Sequence, residues 1–364
     1  MIKSRIFQAS ILVGTIIGAG IFALPYVFKA AGLVTGLFYL LLGAVIYSAI
    51  HLMYAKVFAV TPGGHRFVGL ARVHLGRWAG GLAVPMTILE GIFVLAIYMI
   101  LSESFLNLVL PAAGLMEKAL FFWFISTLSI FIGLKRIALL EFLITGGIIA
   151  IIFIIFLLGL PRFEAIGRLD FAANWVGFIL PLAPVIFALS GRQAIPALVE
   201  YRPNDYQRPI IVGTLIPAIA YALFVLSVVA LSGDVAPDSI TGLVGNIPIW
   251  AVALIGVFGI LSLWSSYITV GFDIFRSLHG DLNIFRWLSA AIVAAGPLLI
   301  YFFGSRNFIE LVGITGGLFL SLEGLLIISM WLKVTKRKLS LPILLLAAIF
   351  VIALIYEIIK LIII

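Results

Sequence analysis

The stretch Gly14-Thr15-Ile16-Ile17-Gly18-Ala19-Gly20-Ile21-Phe22-Ala23-Leu24-Pro25 lies inside the first long apolar run of the chain. Three glycines and a proline within this run are unfavourable in a continuous helix, because glycine loses backbone entropy and proline lacks the amide donor. At membrane depth a break is tolerated where the freed backbone groups are buried or line a cavity. The stretch therefore predicts a broken membrane helix at a binding site. The alternative is an intact helix on which Gly14 and Gly18 form a packing face.

The composition indicates a polytopic membrane protein. Of the 364 residues, 64% are hydrophobic and 10% are charged, against about 25% charged residues in soluble domains. Apolar runs of about 20 residues recur along the whole length, so we expect one transmembrane domain over 1–364. The first run exceeds the apolar part of a signal peptide and is interpreted as the first helix. Without cysteine, the chain has neither disulfides nor a thiolate metal site nor a cysteine nucleophile.

Hydropathy predicts eleven spans, at about 6–28, 36–60, 80–110, 118–134, 137–160, 176–201, 208–232, 249–278, 284–303, 308–332 and 341–363. An odd number places the termini on opposite sides. Fifteen lysines and arginines fall in segments on the N-terminal side and six on the other side. This bias predicts a cytoplasmic N-terminus in a multi-pass protein of the cell membrane. It also accounts for the net charge of +8 without a nucleic-acid surface.

The connection from Thr61 to Ala79 mixes basic with apolar residues. This pattern predicts an amphipathic segment lying on the inner membrane surface. His65 and His74 within it are expected at the lipid headgroups. A metal site there is disfavoured, because no third ligand lies nearby.

An internal repeat supports the broken helix. In Phe187-Ala188-Leu189-Ser190-Gly191-Arg192-Gln193-Ala194-Ile195-Pro196, a glycine precedes a proline by five residues, as Gly20 precedes Pro25. A shift of 171 residues superposes these glycines and carries spans 2 to 5 onto spans 7 to 10. Five helices per unit invert the second unit in the membrane. The sequence predicts an all-α fold of two inverted repeats, about 6–160 and 176–332, with broken helices 1 and 6 and an extra helix at about 341–363.

The motif GTIIGAGIFALP resembles the first-helix signature of the amino acid, polyamine and organocation superfamily, especially its hydroxy/aromatic and auxin-type amino acid permeases. The segment ending Ala194-Ile195-Pro196-Ala197-Leu198 is similar to their sixth helix, and Leu263-Trp264-Ser265-Ser266-Tyr267 to their eighth. The resemblance covers spans 1 to 10 and implies a leucine-transporter-type fold. The chain departs from the aromatic permeases at Arg192 and Gln193, where they tend to have small residues or histidine. This departure leaves the substrate class open.

An amino acid offers one carboxylate and one ammonium group. Helix N-termini favour anions and exposed carbonyls favour cations, so the two breaks are the predicted substrate site. The carboxylate is expected at the amides of Ala19, Gly20 and Ile21. The ammonium is expected at the carbonyls of Ile16, Phe187 and Ala188 with the Ser190 hydroxyl, a pattern that also resembles leucine-type transporters.

Tyr98 resembles the third-helix tyrosine that faces the substrate in these permeases. Core packing is the alternative for Tyr98, Phe187 and Ser190.

Charged residues inside spans are costly and are functional candidates. They are Glu90, Glu141, Arg192, Glu200, Asp273 and Glu323. Glu141, Glu200 and Asp273 fall near inner ends, where solvation or a gate ion pair is expected. Glu90 and Glu323 are deeper, and either carries a proton or pairs with Arg192, with pairing favoured. Arg192 is expected to set selectivity, with a glutamate or an acidic substrate group as its partner.

Three serines in span 8 predict a sodium site. Ser262, Ser265 and Ser266 share one helical face, and hydroxyl oxygens suit a hard cation. The resemblance adds the carbonyls of Gly14 and Ile17 as the other half. Some proton-coupled relatives place a lysine from helix 5 in this position, and span 5 contains none. Close helix packing by small residues is the alternative.

These features predict a secondary transporter of amino acids, driven by sodium or protons, with sodium favoured and no other cofactor. An intramembrane lipid-modifying enzyme would need paired carboxylates or a histidine cluster at one interface. A channel would show a filter motif and rings of like residues. The sequence shows neither.

Overall fold

The computed structural model of the chain describes residues 2–131, 138–166 and 170–363. Lys135, Arg136 and Arg168, which contribute to the predicted orientation, and the side chain of Glu141 lie outside the described part of the chain. Among the described residues the chain forms helices and no strand.

The first span is broken as predicted. Helix α1 (Ile2–Ile16) and helix α2 (Gly20–Ala31) meet at an angle of 59°. At the break the Gly18 amide donates to the Ile16 carbonyl at 2.8 Å, and the Gly14 carbonyl thereby loses its usual helical donor. The intact-helix alternative is therefore wrong.

The chain reverses at Gly32, whose φ of 96° favours glycine. The next helices are α3 (Leu33–Val60), α4 (Phe67–Leu75), α5 (Arg77–Val109), α6 (Leu115–Ile130) and α7 (Ala138–Gly159).

The sixth span is also broken as predicted. It consists of α8 (Trp175–Ile179), α9 (Leu182–Leu189), a short 3₁₀ turn (Arg192–Ala194) and α10 (Ile195–Tyr201). Ser190 is extended, with φ −66° and ψ 133°, so the helical ladder ends there.

The remaining helices are α11 (Gln207–Leu231), α12 (Ile249–Arg276), α13 (Arg286–Phe303), α14 (Phe308–Ile314), α15 (Ser321–Thr335) and α16 (Leu341–Ile363). A π-helical segment, Thr315–Leu320, joins α14 to α15 within one span. Within the described ranges, ten spans are long and apolar enough to cross a membrane when α1 and α2 count as one. The fourth predicted span, at about 118–134, corresponds to α6, which has 16 residues and is not among these ten.

The helices pack in two groups. The first, here called the bundle, contains α1 to α3 and α9 to α11. The second, here called the scaffold, contains α5, α6, α12 and α13. Helix α7 and the α14–α15 span contact both groups, while α16 packs on α15 and the π-helical segment. The two breaks therefore lie in one group and face the other.

Helix ends and loops on the N-terminal side contact one another. Arg5 Nε donates to Asp205 Oδ2 at 2.7 Å, and this hydrogen bond holds the pKa of Asp205 below its ordinary value. The Gly69 amide donates to Asp281 Oδ2 at 2.9 Å. On the other side, Arg306 pairs with Glu103 at 2.8 Å.

The prediction that the Thr61 to Ala79 segment lies on the membrane surface is wrong for its central part. Residues Phe67 to Ala71 of α4 are buried, and α4 packs on α5 and α15. The Asp281 carboxylate accepts a hydrogen bond from the Gly69 amide in the first turn of α4, and this bond holds the helix against the rest of the protein. His74, in the last turn of α4, has its Nε2 2.7 Å from Thr61 Oγ1, and His65 Nδ1, just before α4, lies 3.7 Å from Asp281 Oδ1.

Candidate functional site

The two helix breaks touch each other at their glycines. A Cβ atom built on Gly20 would lie 2.4 Å from Ala188 Cα, and one built on Gly191 would lie 2.6 Å from Ile16 Cγ1. Real Cβ contacts are not that short, so α2 can approach α9 this closely, and residue 191 can lie this close to α1, because residues 20 and 191 are glycine. The space beside Gly20 is filled by Ala188, whereas the sequence led us to expect a substrate there.

Tyr221 of α11 contacts both helix breaks through its hydroxyl. Its hydroxyl lies 2.6 Å from the Ile16 carbonyl oxygen and 3.1 Å from that of Ala188. These are two of the three carbonyls predicted to bind the ammonium group. Sequence reasoning missed Tyr221, because a lone tyrosine in an apolar span gives no sign of what its hydroxyl contacts.

A small cavity of about 30 Å³ lies at the crossing. Its lining residues are Thr15, Ile16, Gly18, Ala19, Gly20, Glu90, Val94, Tyr98, Phe187, Ser190, Gln193, Val270 and Leu320. The cavity has room for about two water molecules and not for an amino acid. The Ser190 hydroxyl is buried and lacks a hydrogen-bond partner.

Most of the predicted substrate residues line this cavity. Ile16, Ala19, Gly20, Tyr98, Phe187 and Ser190 do so, whereas Ile21, Ala188 and Arg192 do not. Ile21 and Ala188 are buried in the apolar core around the crossing.

Two of the predicted sodium ligands, Ser262 and Ile17, are in contact. Ser262 Oγ donates to the Ile17 carbonyl at 2.8 Å. The hydroxyl of Ser265 is buried and lacks a hydrogen-bond partner, and the buried Ser266 Oγ would lie 3.3 Å from a Cβ built on Gly18. With the Gly14 carbonyl released from its helical donor, the break in α1 and the face of α12 offer oxygen atoms of the kind that a hard cation requires.

Beside the cavity, Arg192 is surrounded by carboxylates. Its guanidinium is 2.5 Å from Glu323, 3.2 Å from Asp273 and 3.4 Å from Glu90. All four residues are at most 7% exposed. The guanidinium carbon also lies 4.9 Å from the ring centre of Phe67 in α4. We call Arg192, Glu90, Asp273 and Glu323 the charged cluster.

The cluster confirms the predicted pairing of Arg192 with Glu90 and Glu323 and adds Asp273 as a third partner. Asp273 was expected to be solvated or to form a gate ion pair, and it is buried in an ion pair. Glu200, in contrast, is exposed. Glu90 belongs both to the charged cluster and to the lining of the cavity. It also accepts a hydrogen bond from Gln193 Nε2 at 3.1 Å.

Solved transporters share this fold at low sequence identity. Mhp1, a nucleobase-cation-symport-1 family transporter with bromovinylhydantoin bound, is 17% identical over 93% of this chain and 80% of its own, with a TM-score of 0.66. MhsT in complex with L-phenylalanine is 17% identical over 98% and 97%, with a TM-score of 0.67. A manganese transporter of Eremococcus coleocola is 15% identical over 95% and 83%, with a TM-score of 0.65.

These likenesses confirm the predicted leucine-transporter-type fold. No curated protein matches the chain in sequence. One family model, however, matches residues 1–364, and its description is the tryptophan/tyrosine permease family. A match of this length indicates a transporter and not an enzyme. The chain therefore belongs to the tryptophan/tyrosine permease family.

Proposed function

We propose that the protein is a secondary transporter of amino acids with aromatic side chains. The observation that carries this proposal is the crossing of the two helix breaks, where the free helix ends, the Tyr98 and Ser190 hydroxyls and a cavity meet. The family description supports an aromatic substrate, as does the fold shared with MhsT, which was solved with L-phenylalanine.

The substrate carboxylate would bind the amides of Ala19, Gly20 and Ile21 at the N-terminus of α2. Its ammonium would bind the Phe187 carbonyl and the Ser190 hydroxyl. The carbonyls of Ile16 and Ala188 would join when Tyr221 releases them. Because the cavity is too small for an amino acid, bundle and scaffold must separate to admit one, as alternating access requires.

The coupling ion is proposed to be sodium, bound by the carbonyls of Gly14 and Ile17 and the hydroxyls of Ser262, Ser265 and Ser266. Oxygen atoms from α1 and α12 would then join the bundle to the scaffold, so that ion binding favours one arrangement of the two groups. The N-terminus is proposed to be cytoplasmic in the cell membrane, from the basic residues on its side.

Uptake of labelled tryptophan, tyrosine, phenylalanine, leucine and arginine into proteoliposomes tests the substrate class, with sodium, potassium and a pH gradient varied separately. We expect aromatic amino acids to be preferred and sodium to stimulate uptake. Ser265→Ala should abolish this stimulation, whereas Ser126→Ala, at another buried serine without a partner, should not. Equal uptake of all five amino acids would refute the proposed preference for aromatic substrates. Full uptake in potassium with a pH gradient would refute sodium as the coupling ion.

A further inference from the structure

The charged cluster joins the two helix groups on the N-terminal side of the substrate cavity. Arg192 follows the break in the bundle, whereas Glu90 lies on α5 and Asp273 on α12 of the scaffold, and Glu323 lies on the α14–α15 span. Phe67 of α4, from the loop on the N-terminal side, covers the guanidinium. Separation of bundle from scaffold on this side would break the ion pairs of Arg192 with Glu90 and Asp273.

The charges of the cluster do not balance when every group is ionised. One guanidinium faces three carboxylates, which leaves two uncompensated negative charges among residues at most 7% exposed. Burying an unpaired charge costs several kcal/mol in proteins, and the group takes up a proton instead. The closed cluster therefore contains at least one protonated carboxyl group.

Of the three carboxyl groups, that of Glu90 lies farthest from the Arg192 guanidinium. It is 3.4 Å from the guanidinium, against 2.5 Å for Glu323 and 3.2 Å for Asp273, and its other oxygen accepts from the neutral amide of Gln193. Glu90 and Glu323 also lie close enough to repel each other when both are ionised, and a proton on one of them removes this repulsion. Tyr47, Tyr54 and Tyr98 are other titratable groups near these carboxyls, and the guanidinium of Arg66 lies near Tyr54.

We propose that the charged cluster is a latch on the N-terminal side of the substrate cavity, and that it closes with a proton bound to Glu90. The dry, closed latch holds this proton more tightly than the hydrated, open latch, so closure is favoured at low pH and lost as pH rises. One bound proton changes the ratio of closed to open latch by at most about tenfold per pH unit.

Thr87 reports on the latch, because it lies one turn before Glu90, is 2% exposed, and its hydroxyl has no partner. The chain contains no cysteine, so Thr87→Cys provides a single thiol without further changes. Its rate of maleimide labelling is divided by that of Ser340→Cys, an exposed residue in the loop before α16, to remove the pH dependence of the thiol itself.

We expect the normalised labelling rate to increase between about pH 5 and pH 8. Glu90→Gln in the Thr87→Cys background should hold the latch closed and keep labelling slow at every pH. The control Glu103→Gln, at the other end of α5, should label like the parent. Glu323→Gln lowers the negative charge around Glu90, so the rise should begin at lower pH. This variant provides a second test if Glu90→Gln does not fold.

A normalised rate independent of pH in the parent would overturn the proposal, as would an unchanged pH response in Glu90→Gln and Glu323→Gln. The latch deepens the proposed transport function and rests on it. Labelling needs no substrate, however, so a failure to transport aromatic amino acids would leave this result interpretable, and a failure of the latch would leave the uptake result intact.

Discussion

Gly20 of α2 lies so close to Ala188 of α9 that a Cβ atom on Gly20 would be 2.4 Å from Ala188 Cα and 2.8 Å from Ala188 Cβ. The two broken spans therefore support each other at the point where each loses its helical hydrogen bonds. A side chain at residue 20 would therefore collide with Ala188 and push α2 and α9 apart, whether or not a substrate is bound.

Gly20→Ala is expected to destabilise the protein by about 1–3 kcal/mol, because overpacking forces the two helices apart. Uptake should fall together with stability. The matched control is Gly81→Ala in α5, where an added Cβ meets nothing within 4 Å. Thermal unfolding of both variants in detergent measures the difference. Equal melting temperatures for Gly20→Ala and the parent would contradict the crossing.

The breaks themselves could be predicted from sequence, because the spacing of Gly20 to Pro25 and of Gly191 to Pro196 reflects a backbone requirement that repeats in both halves. Contacts between distant side chains could not. Arg192 meets carboxylates 81, 102 and 131 residues away, and only the packing of four helices brings them together. The burial of α4 was missed for the same reason, since its amide partner Asp281 is 212 residues from Gly69.

Tyr221→Phe is expected to lower stability by about 1–3 kcal/mol, because it removes the donor shared by two buried carbonyls. Its effect on transport should exceed its effect on stability, since those carbonyls belong to the proposed ammonium site. Tyr267→Phe is the control, because Tyr267 is also buried and its hydroxyl lies 3.0 Å from Thr127 Oγ1, away from the breaks. Uptake kinetics and melting temperatures of both variants give the comparison. Identical uptake by the two variants would argue against a role for Tyr221 in binding.

Arg192→Met is expected to destabilise the protein by about 3–5 kcal/mol, because it leaves buried carboxylates without their counter-ion. Arg192→Met combined with Glu323→Gln should be more stable than the sum of the single effects predicts, since the two changes remove opposite charges. A double-mutant cycle of melting temperatures measures this coupling. Additive effects would show that the ion pair contributes nothing to the fold.

Arg192→Ala should also leave the order of substrate preference unchanged, because the partners of Arg192 are carboxylates of the protein and no acidic substrate group is needed. Where Arg192→Ala folds, competition of unlabelled amino acids with labelled tryptophan uptake gives this order. A shift of preference away from acidic amino acids would restore Arg192 as a selectivity residue.

The central claim is that an aromatic amino acid binds between the two helix breaks, and Gly18→Ala tests it most directly. The added methyl group would enter the cavity, 3.2 Å from the Tyr98 hydroxyl and 3.3 Å from that of Ser266, and would contact no backbone atom closely. Gly146→Ala in α7, where the added Cβ meets nothing within 4 Å, is the control. Initial rates of tryptophan uptake into proteoliposomes should fall by about tenfold or more in Gly18→Ala, a loss of roughly 1.4 kcal/mol, with the melting temperature and the control unchanged. Parental uptake by a folded Gly18→Ala variant would contradict the claim.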